Sequence, residues 1–174
     1  MFSDKIRISS HSKKLLENSK RHKGFYEKYS SVVSKILKKP SFQNFMNWML
    51  RKESIDADSV EKIHVMVLPF RKENGKSLAG KYVKNEICIY PKRLGFCRKL
   101  MEKYGKKKVY SYLKNRARAT LIHEFLHVKY SSDEEKVRQL TKEYFEIFSK
   151  NQNHQSENGC GLLNSDSCML RFLC

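Results

Sequence analysis

The sequence predicts an α+β domain that is mostly helical and contains one small antiparallel sheet. Apolar residues recur at helical three- and four-residue spacing over most of the chain, and short β-branched runs interrupt this periodicity between residues 63 and 90. The chain has 174 residues with only three prolines and seven glycines, which suits one domain with a substantial core. We therefore expect a single domain over 1–150 and a polar, flexible tail over 151–174.

The N-terminal part, residues 1–52, is predicted to form basic helices. Residues 12–39 carry an apolar stripe at helical spacing that ends at Pro40, and Ser41 is placed to cap a second, short helix. The stripe is rich in aromatic side chains. Because these side chains lie on one helix face, they indicate a core rather than a surface for stacking bases.

The middle of the chain changes to short extended segments. A β-branched run at 63–68 ends at Pro69, and residues 73–76 form a turn signal. Residues 82–83 and 87–90 are two further candidate strands with a short turn between them. We expect two or three antiparallel strands, with 87–90 at an edge to which an extended peptide can add.

Helical periodicity returns after the strands. Residues 92–104 are amphipathic and end at Gly105, a residue type suited to a helix C-terminus. A long helix is predicted to follow and to break at Tyr130. Ser132 is placed to cap the next helix, with Glu135 completing a Ser-x-x-Glu capping box.

The most informative motif is His123-Glu124-Phe125-Leu126-His127, which spells His-Glu-x-x-His within the long helix. Histidines four apart lie on the same helix face, so both imidazoles can reach one metal ion. Glu124 is turned about 100° from the first histidine, so it flanks the ion as a general base without joining it. The surrounding residues are nearly all apolar, which favours a buried metal site over a surface helix with incidental histidines.

A third metal ligand is expected among the carboxylates that follow. A catalytic zinc takes three protein ligands and keeps one open position. No later histidine is well placed, because Asp133 stands where a third histidine would continue the pattern and His154 lies in the polar tail. Glu134 lies three residues before Val137 and continues the apolar stripe of the last helix, so we expect it to point inward as the third ligand. Glu143 is the next candidate, and Glu135 has the capping role.

These motifs resemble those of the zincin metallopeptidases of gluzincin type, including the small archaeal minigluzincins and the ImmA-like peptidases. The resemblance rests on residues 123–127 with their uncharged neighbours, and on Glu134-x-x-Val137, which is similar to the Glu-x-x-Ala of the gluzincin glutamate helix. It covers roughly residues 62–148. Lys129 departs from the pattern, because the family usually has an apolar residue there.

The resemblance implies a minimal zincin fold, a Zn²⁺ cofactor and hydrolysis of peptide bonds in a protein or peptide substrate. His123, His127 and Glu134 would hold the ion, and Glu124 would take the proton of the attacking water and pass it to the leaving amine. A second donor is needed for the developing oxyanion. Three tyrosines are candidates, and their spacing does not choose among them: Tyr82, Tyr90 and Tyr144.

The net charge of +18 is unevenly distributed along the chain. Residues 1–52 carry +10 and residues 81–118 carry +11, whereas 53–80 and 119–174 are slightly acidic. Such a distribution favours anionic partners such as nucleic acid, although a solubility surface or a lysine-rich composition explains it equally well. The alternative function is a nucleic-acid-associated or regulatory protein whose zincin-like fold acts on a DNA-bound or repressor protein.

Cysteine usage and hydropathy predict a reduced, cytoplasmic protein with no membrane partner. Cys88 and Cys97 lie in apolar surroundings typical of buried thiols, and no run of apolar residues approaches the length of a membrane span. The tail holds a short apolar segment, 168–173, that we interpret as a docking element. Its cysteines match no zinc-finger spacing: Cys160, Cys168 and Cys174.

Overall fold

The computed structural model describes residues 22–156 of the chain, with side chains described over 22–152. The helices are α1 (Lys23–Lys38), α2 (Pro40–Lys52), α3 (Ala57–Glu61), α4 (Leu94–Tyr104), α5 (Lys106–Tyr130) and α6 (Glu134–Ser156). The strands are β1 (His64–Val67), β2 (Lys72–Glu73), β3 (Lys76–Ser77), β4 (Gly80–Val83) and β5 (Glu86–Ile89). The mostly helical α+β class is confirmed. Residues 12–21 of the helix predicted over 12–39, the three tail cysteines and the segment 168–173 lie outside the described residues.

The main sheet has three strands in the order β1-β5-β4, and β2 and β3 form a separate antiparallel hairpin. β4 and β5 pair antiparallel around a two-residue turn, whereas β1 runs parallel to β5, so the sheet is mixed. The parallel pairing is possible because the β2–β3 hairpin and β4 lie between β1 and β5 in the chain, which lets the chain return in the same direction. Residues 87–90 therefore lie at the centre of the sheet rather than at the predicted edge, and β4 takes the edge position.

The core forms where the sheet packs against the middle of α5. In β1 and β5 the side chains of Val65, Val67, Ile87 and Ile89 are fully buried. Leu121, Ile122, Phe125 and Leu126, within or just before the His-Glu-x-x-His motif, are fully buried as well, and Val128 is partly buried, so the helix is enclosed on most sides, as its composition predicts. Burial of each large apolar side chain stabilises the fold by roughly 1.5–3 kcal/mol.

The aromatic stripe of the N-terminal helices belongs to this core. Phe42 and Phe45 of α2 pack edge-to-face on Phe148 of α6, with ring centroids 5.5 and 5.0 Å apart. Pro40 occupies the first turn of α2 and Lys39 its N-cap, with no side-chain cap, so Ser41 is not the capping residue. Proline is suited to that position because the N–H it lacks would be unpaired there.

A three-residue turn joins α5 to α6 and decides where α6 begins. The carboxylate of Asp133 accepts a hydrogen bond from the backbone N–H of Lys136 at 3.0 Å, so Asp133 caps α6, and the predicted Ser132–Glu135 capping box does not form. The N–H of Asp133 in turn donates to the carbonyl of Tyr130 at 2.7 Å, which draws Asp133 into the capping position. α6 packs along α5 and continues to Ser156, into the segment predicted to be a flexible tail.

Candidate metal centre

The structure brings together the three residues that the sequence predicts as metal ligands. The two Nε2 atoms of His123 and His127 on α5 are 3.1 Å apart. Glu134, the first residue of α6, places one carboxylate oxygen 3.3 Å from Nε2 of His127 and the other 3.6 Å from Nε2 of His123. The other candidate ligands, Glu143 and Glu135, do not belong to this group, and Glu143 instead accepts a hydrogen bond from Gln139. The side chain of Glu134 is itself half-exposed, so it reaches the histidines from the surface rather than from the interior as predicted.

Hydrogen bonds on the far side of each ring decide which nitrogen carries the proton. Nδ1 of His127 lies 3.0 Å from the carbonyl oxygen of Ser131, and since a carbonyl only accepts, Nδ1 must donate. Nδ1 of His123 lies 3.2 Å from the hydroxyl of Thr141, which already donates to the carbonyl of Val137. Nδ1 of His123 must therefore donate as well. In the neutral rings, both Nε2 atoms carry lone pairs.

Three electron-pair donors thus converge on one point. Burial lowers the pKa of His123 to about 4; the charge of Glu134 opposes this shift, and His127 adds to it. The ring is therefore neutral near neutral pH, and it cannot relieve the crowding by taking up a proton. A cation between the three groups would relieve it.

The donor set and its spacing fit a zinc ion. Four-coordinate zinc has ligand distances of about 2.0–2.2 Å, which places tetrahedral donor atoms about 3.3–3.6 Å apart. The two Nε2 atoms are 3.1 Å apart, and each lies 3.3–3.6 Å from a different oxygen of Glu134. With one donor atom taken from each residue, the three atoms lie within 4.8 Å of one another, so a small shift of the glutamate would bring one oxygen to the tetrahedral spacing. The hydrogen bonds from Nδ1 of each histidine are the outer contacts that usually orient metal-ligating imidazoles. Glu134 is also held in place, because Nε of Arg138 donates to its Oε1 at 2.8 Å.

Glu124 lies beside this cluster and is separated from water. Glu124 is only 3% exposed, and its carboxylate accepts a hydrogen bond from the backbone N–H of Tyr82 in β4. Burial, with a smaller contribution from the charge of Glu134, raises the pKa of Glu124 to about 8, although the hydrogen bond from Tyr82 opposes the shift. A buried carboxyl group with a pKa near neutral is suited to exchange a proton with a bound reactant.

The cluster opens into a cleft of about 1420 Å³. One wall is formed by β4 and the β2–β3 hairpin, and the other by α5 and the first turns of α6. Within the part of the chain that the structure describes, no strand pairs with the outer edge of β4. All four residues of β4 line the cleft.

The hydrogen-bond pattern of β4 shows which of its backbone groups face the cleft. Val83 flanks the two-residue turn and pairs with β5, and the N–H of Tyr90 donates to the carbonyl of Ala79 at 2.9 Å. Because hydrogen-bonded and non-hydrogen-bonded positions alternate in an antiparallel pair, Gly80 and Tyr82 direct their backbone groups outward. The hydrogen bond from the backbone N–H of Tyr82 to the carboxylate of Glu124 on α5 agrees with that direction.

Of the three tyrosines considered as oxyanion donors, only Tyr82 lines the cleft. Tyr144 is buried, and its hydroxyl donates to the carboxylate of Glu53. Tyr90 is buried too, and its carbonyl accepts a hydrogen bond from Arg116. Of the three predicted oxyanion donors, the geometry therefore leaves Tyr82, on the edge strand, as the candidate.

Sequence reasoning missed three residues at this site. Arg138 could have been predicted from the sequence, since it lies one helical turn after Glu134, where an ion pair is expected. Thr141 and Gly80 had none, because their roles depend on how α6 and β4 approach α5. These are contacts between segments distant in the chain.

Comparison with known proteins yields no match to this chain among family models, curated proteins or solved structures. The description of the site therefore rests on its own geometry.

Proposed function

We propose that the protein is a zinc-dependent metallopeptidase that hydrolyses peptide bonds. The observation that carries the proposal is the convergence of His123, His127 and Glu134 through atoms that all present lone pairs. A zinc ion held there would polarise the substrate carbonyl and lower the pKa of bound water to around 7. The ligand set, two histidines and a glutamate, is one that catalytic zinc sites use.

Glu124 is the general base in this proposal. Its carboxylate faces the cleft next to the cluster, takes the proton of the attacking water and passes it to the leaving nitrogen. The backbone N–H of Tyr82 holds the carboxylate in place through a hydrogen bond.

The substrate is a protein or peptide segment that lies extended along β4. The outward N–H and C=O groups of Gly80 and the outward C=O of Tyr82 supply the pairing positions for an added strand, since the N–H of Tyr82 already donates to Glu124. Tyr82 is the candidate oxyanion donor, and its hydroxyl, which donates to Oδ1 of Asn85 at 3.3 Å, would have to turn from that partner to the substrate. This arrangement supports the resemblance to small gluzincins. The free thiols of Cys88 and Cys97 suit a reducing, cytoplasmic setting. Within the described part of the chain no helix has the length and hydropathy to span a membrane.

The Glu124→Gln variant tests the proposal. Glutamine keeps the size of the side chain and an oxygen that can accept the hydrogen bond from Tyr82, but it cannot take a proton. We expect the variant to bind zinc as the wild type does and to lose peptide hydrolysis by about 10²–10⁴-fold. Glu143→Gln, an equal change on an exposed part of α6, is the control. Full activity in Glu124→Gln would exclude its role as the base.

A second candidate function is a nucleic-acid-associated peptidase that cleaves a DNA-bound or repressor protein. Residues 92–118 favour it, because they hold eleven Lys and Arg against one acidic residue. The catalytic steps would be the same. Cleavage of such a protein, stimulated by the nucleic acid it binds, is the result that distinguishes this function from general peptide hydrolysis.

A further inference from the structure

A second surface of the molecule, away from the metal centre, has an unusual combination of charge and exposed rings. We define the α4–α5 surface as residues 92–114, which include α4 and the first nine residues of α5. It holds nine Lys and Arg and one acidic residue, Glu102. Seven of the nine basic side chains are exposed. None of residues 92–114 lines the cleft.

This surface also has most of the exposed aromatic rings. Within the described residues, five large hydrophobic side chains are exposed, and three of them are rings on this surface: Phe96, Tyr104 and Tyr110, with exposures of 39, 48 and 48%. Each ring has a lysine ammonium near its face. The distances from ammonium nitrogen to ring centroid are 6.0, 5.1 and 5.4 Å, from Lys92, Lys103 and Lys114 respectively.

Helical spacing places further positive charges around two of these rings. Phe96 has Lys99 three residues after it. Tyr110 has Lys106 and Lys107 four and three residues before it. Residues three and four apart are neighbours on a helix surface, so each ring is surrounded by cations.

We propose that the α4–α5 surface binds single-stranded nucleic acid. Lysine and arginine side chains would contact successive phosphates, and bases would stack on the exposed rings, which is the combination that sequence-tolerant single-strand binding uses. The stacking does not require a particular base, because every base presents a π face. The inference stands independently of peptide hydrolysis.

The rings favour this ligand over other anions. An anionic membrane would need a continuous apolar face, but here charged residues separate the rings, no large aliphatic side chain of this surface is exposed, and two of the rings carry hydroxyls. An acidic polypeptide would use the charges and leave the rings unused. In a duplex the bases are stacked on each other, so their faces are not accessible to the rings.

The test measures binding of the full-length protein to a labelled oligothymidine of about 20 nucleotides, by fluorescence anisotropy over a range of salt concentrations. We expect Phe96→Ala/Tyr110→Ala to weaken binding about fivefold or more through loss of stacking. We expect Lys99→Gln/Lys107→Gln to weaken binding and to reduce the slope of log affinity against log salt by about 1.4, since each phosphate contact to a single strand contributes about 0.7.

Lys28→Gln/Lys35→Gln is the matched control, because it removes the same charge from the exposed face of α1. This control should keep nearly the wild-type affinity. Equal weakening by both lysine pairs would overturn the proposal in favour of net charge alone. Unchanged binding in Phe96→Ala/Tyr110→Ala would overturn it too. So would tighter binding to a duplex of the same length, to phosphatidylserine vesicles or to polyglutamate.

Discussion

Gly80 of β4 lies so close to Glu124 of α5 that no side chain fits between them. A Cβ at position 80 would lie 2.8 Å from Cδ of Glu124 and 2.6 Å from Cγ2 of Thr120, closer than real Cβ atoms approach other atoms. The neighbouring N–H of Tyr82 donates to the same carboxylate. Glycine at this position therefore allows the edge strand to reach the proposed general base.

The Gly80→Ala variant is expected to be destabilised by about 1–3 kcal/mol, the usual cost of overpacking a close contact. The proposed peptidase activity should fall as well, because the added methyl group displaces either β4 or the carboxylate. Gly95→Ala in α4 is the control, since a Cβ there meets nothing within 4 Å. Alanine in a helix should leave stability unchanged or raise it by up to about 1 kcal/mol. Urea unfolding of both variants checks this, and equal stabilities would contradict it.

Arg116 joins α5 to the ends of the segment that contains β4 and β5. Arg116 is 2% exposed, and its guanidinium donates hydrogen bonds to the carbonyls of Tyr90 at 2.8 Å and Leu78 at 3.4 Å. Arg116→Met keeps most of the apolar volume but removes both hydrogen bonds. We expect a loss of about 1.5–3 kcal/mol in the free energy of unfolding, as for hydrogen bonds from a charged group. Arg98→Met, an exposed change on α4, should change it by less than about 0.5 kcal/mol.

Glu53, just after α2, joins the end of α5 to α6. Tyr130 donates to its carboxylate at 2.6 Å, and Tyr144 donates to the other oxygen. Partial desolvation alone would raise the pKa of Glu53, but the two hydrogen bonds outweigh it and lower the pKa below its usual value of 4.5. The bonds conversely raise the pKa of Tyr130 to about 12.

The pKa of Glu53 is lower in the folded state than in the unfolded chain. Its ionised carboxylate therefore stabilises the fold at pH values above the unfolded pKa near 4.5, and this stabilisation is lost as the pH falls through the folded pKa. Glu53→Gln should therefore be less stable than the wild type near pH 6, and the difference should shrink as pH falls below about 4. Thermal unfolding across that range, with the exposed Glu27→Gln as control, measures this. A difference that is independent of pH would exclude the carboxylate as its source.

Thr141 orients His123 through the hydrogen bond that its hydroxyl accepts from Nδ1. Thr141→Val keeps the shape of the side chain but removes the acceptor, so the ring loses the contact that keeps the proton on Nδ1. We expect zinc affinity to fall about 10–100-fold, as for other outer contacts of metal-ligating histidines. Thr141→Ser keeps the hydroxyl and should stay close to the wild type. A competition titration with a zinc chelator compares the three proteins, and equal affinities would contradict the role of Thr141.

Local patterns predicted much of the fold and of the candidate site. Four-residue spacing placed His123 and His127 on one face of a buried helix, and the apolar stripe of α6 directed Glu134 toward them, because both inferences depend only on helical geometry. The residue at which a helix begins was predicted less reliably. Asp133 rather than Ser132 caps α6, because the turn after α5 decides which side chain reaches the free N–H groups.

The remaining features depend on contacts between distant segments. The central position of β5 follows from its parallel pairing with β1, which no local pattern specifies. The contacts of Gly80 with Glu124 and of Thr141 with His123 join separate elements, so they follow only once the helices and the sheet are packed together.

Zinc content at a fixed free-zinc concentration tests the central claim most directly. The account predicts about one zinc per chain in the wild type and in Glu143→Ala, and loss of the ion in Glu134→Ala, because among the described residues Glu134 is the one acidic group that meets the two histidines. Equal zinc content in Glu134→Ala and the wild type, or a wild-type protein that binds no zinc, would contradict it.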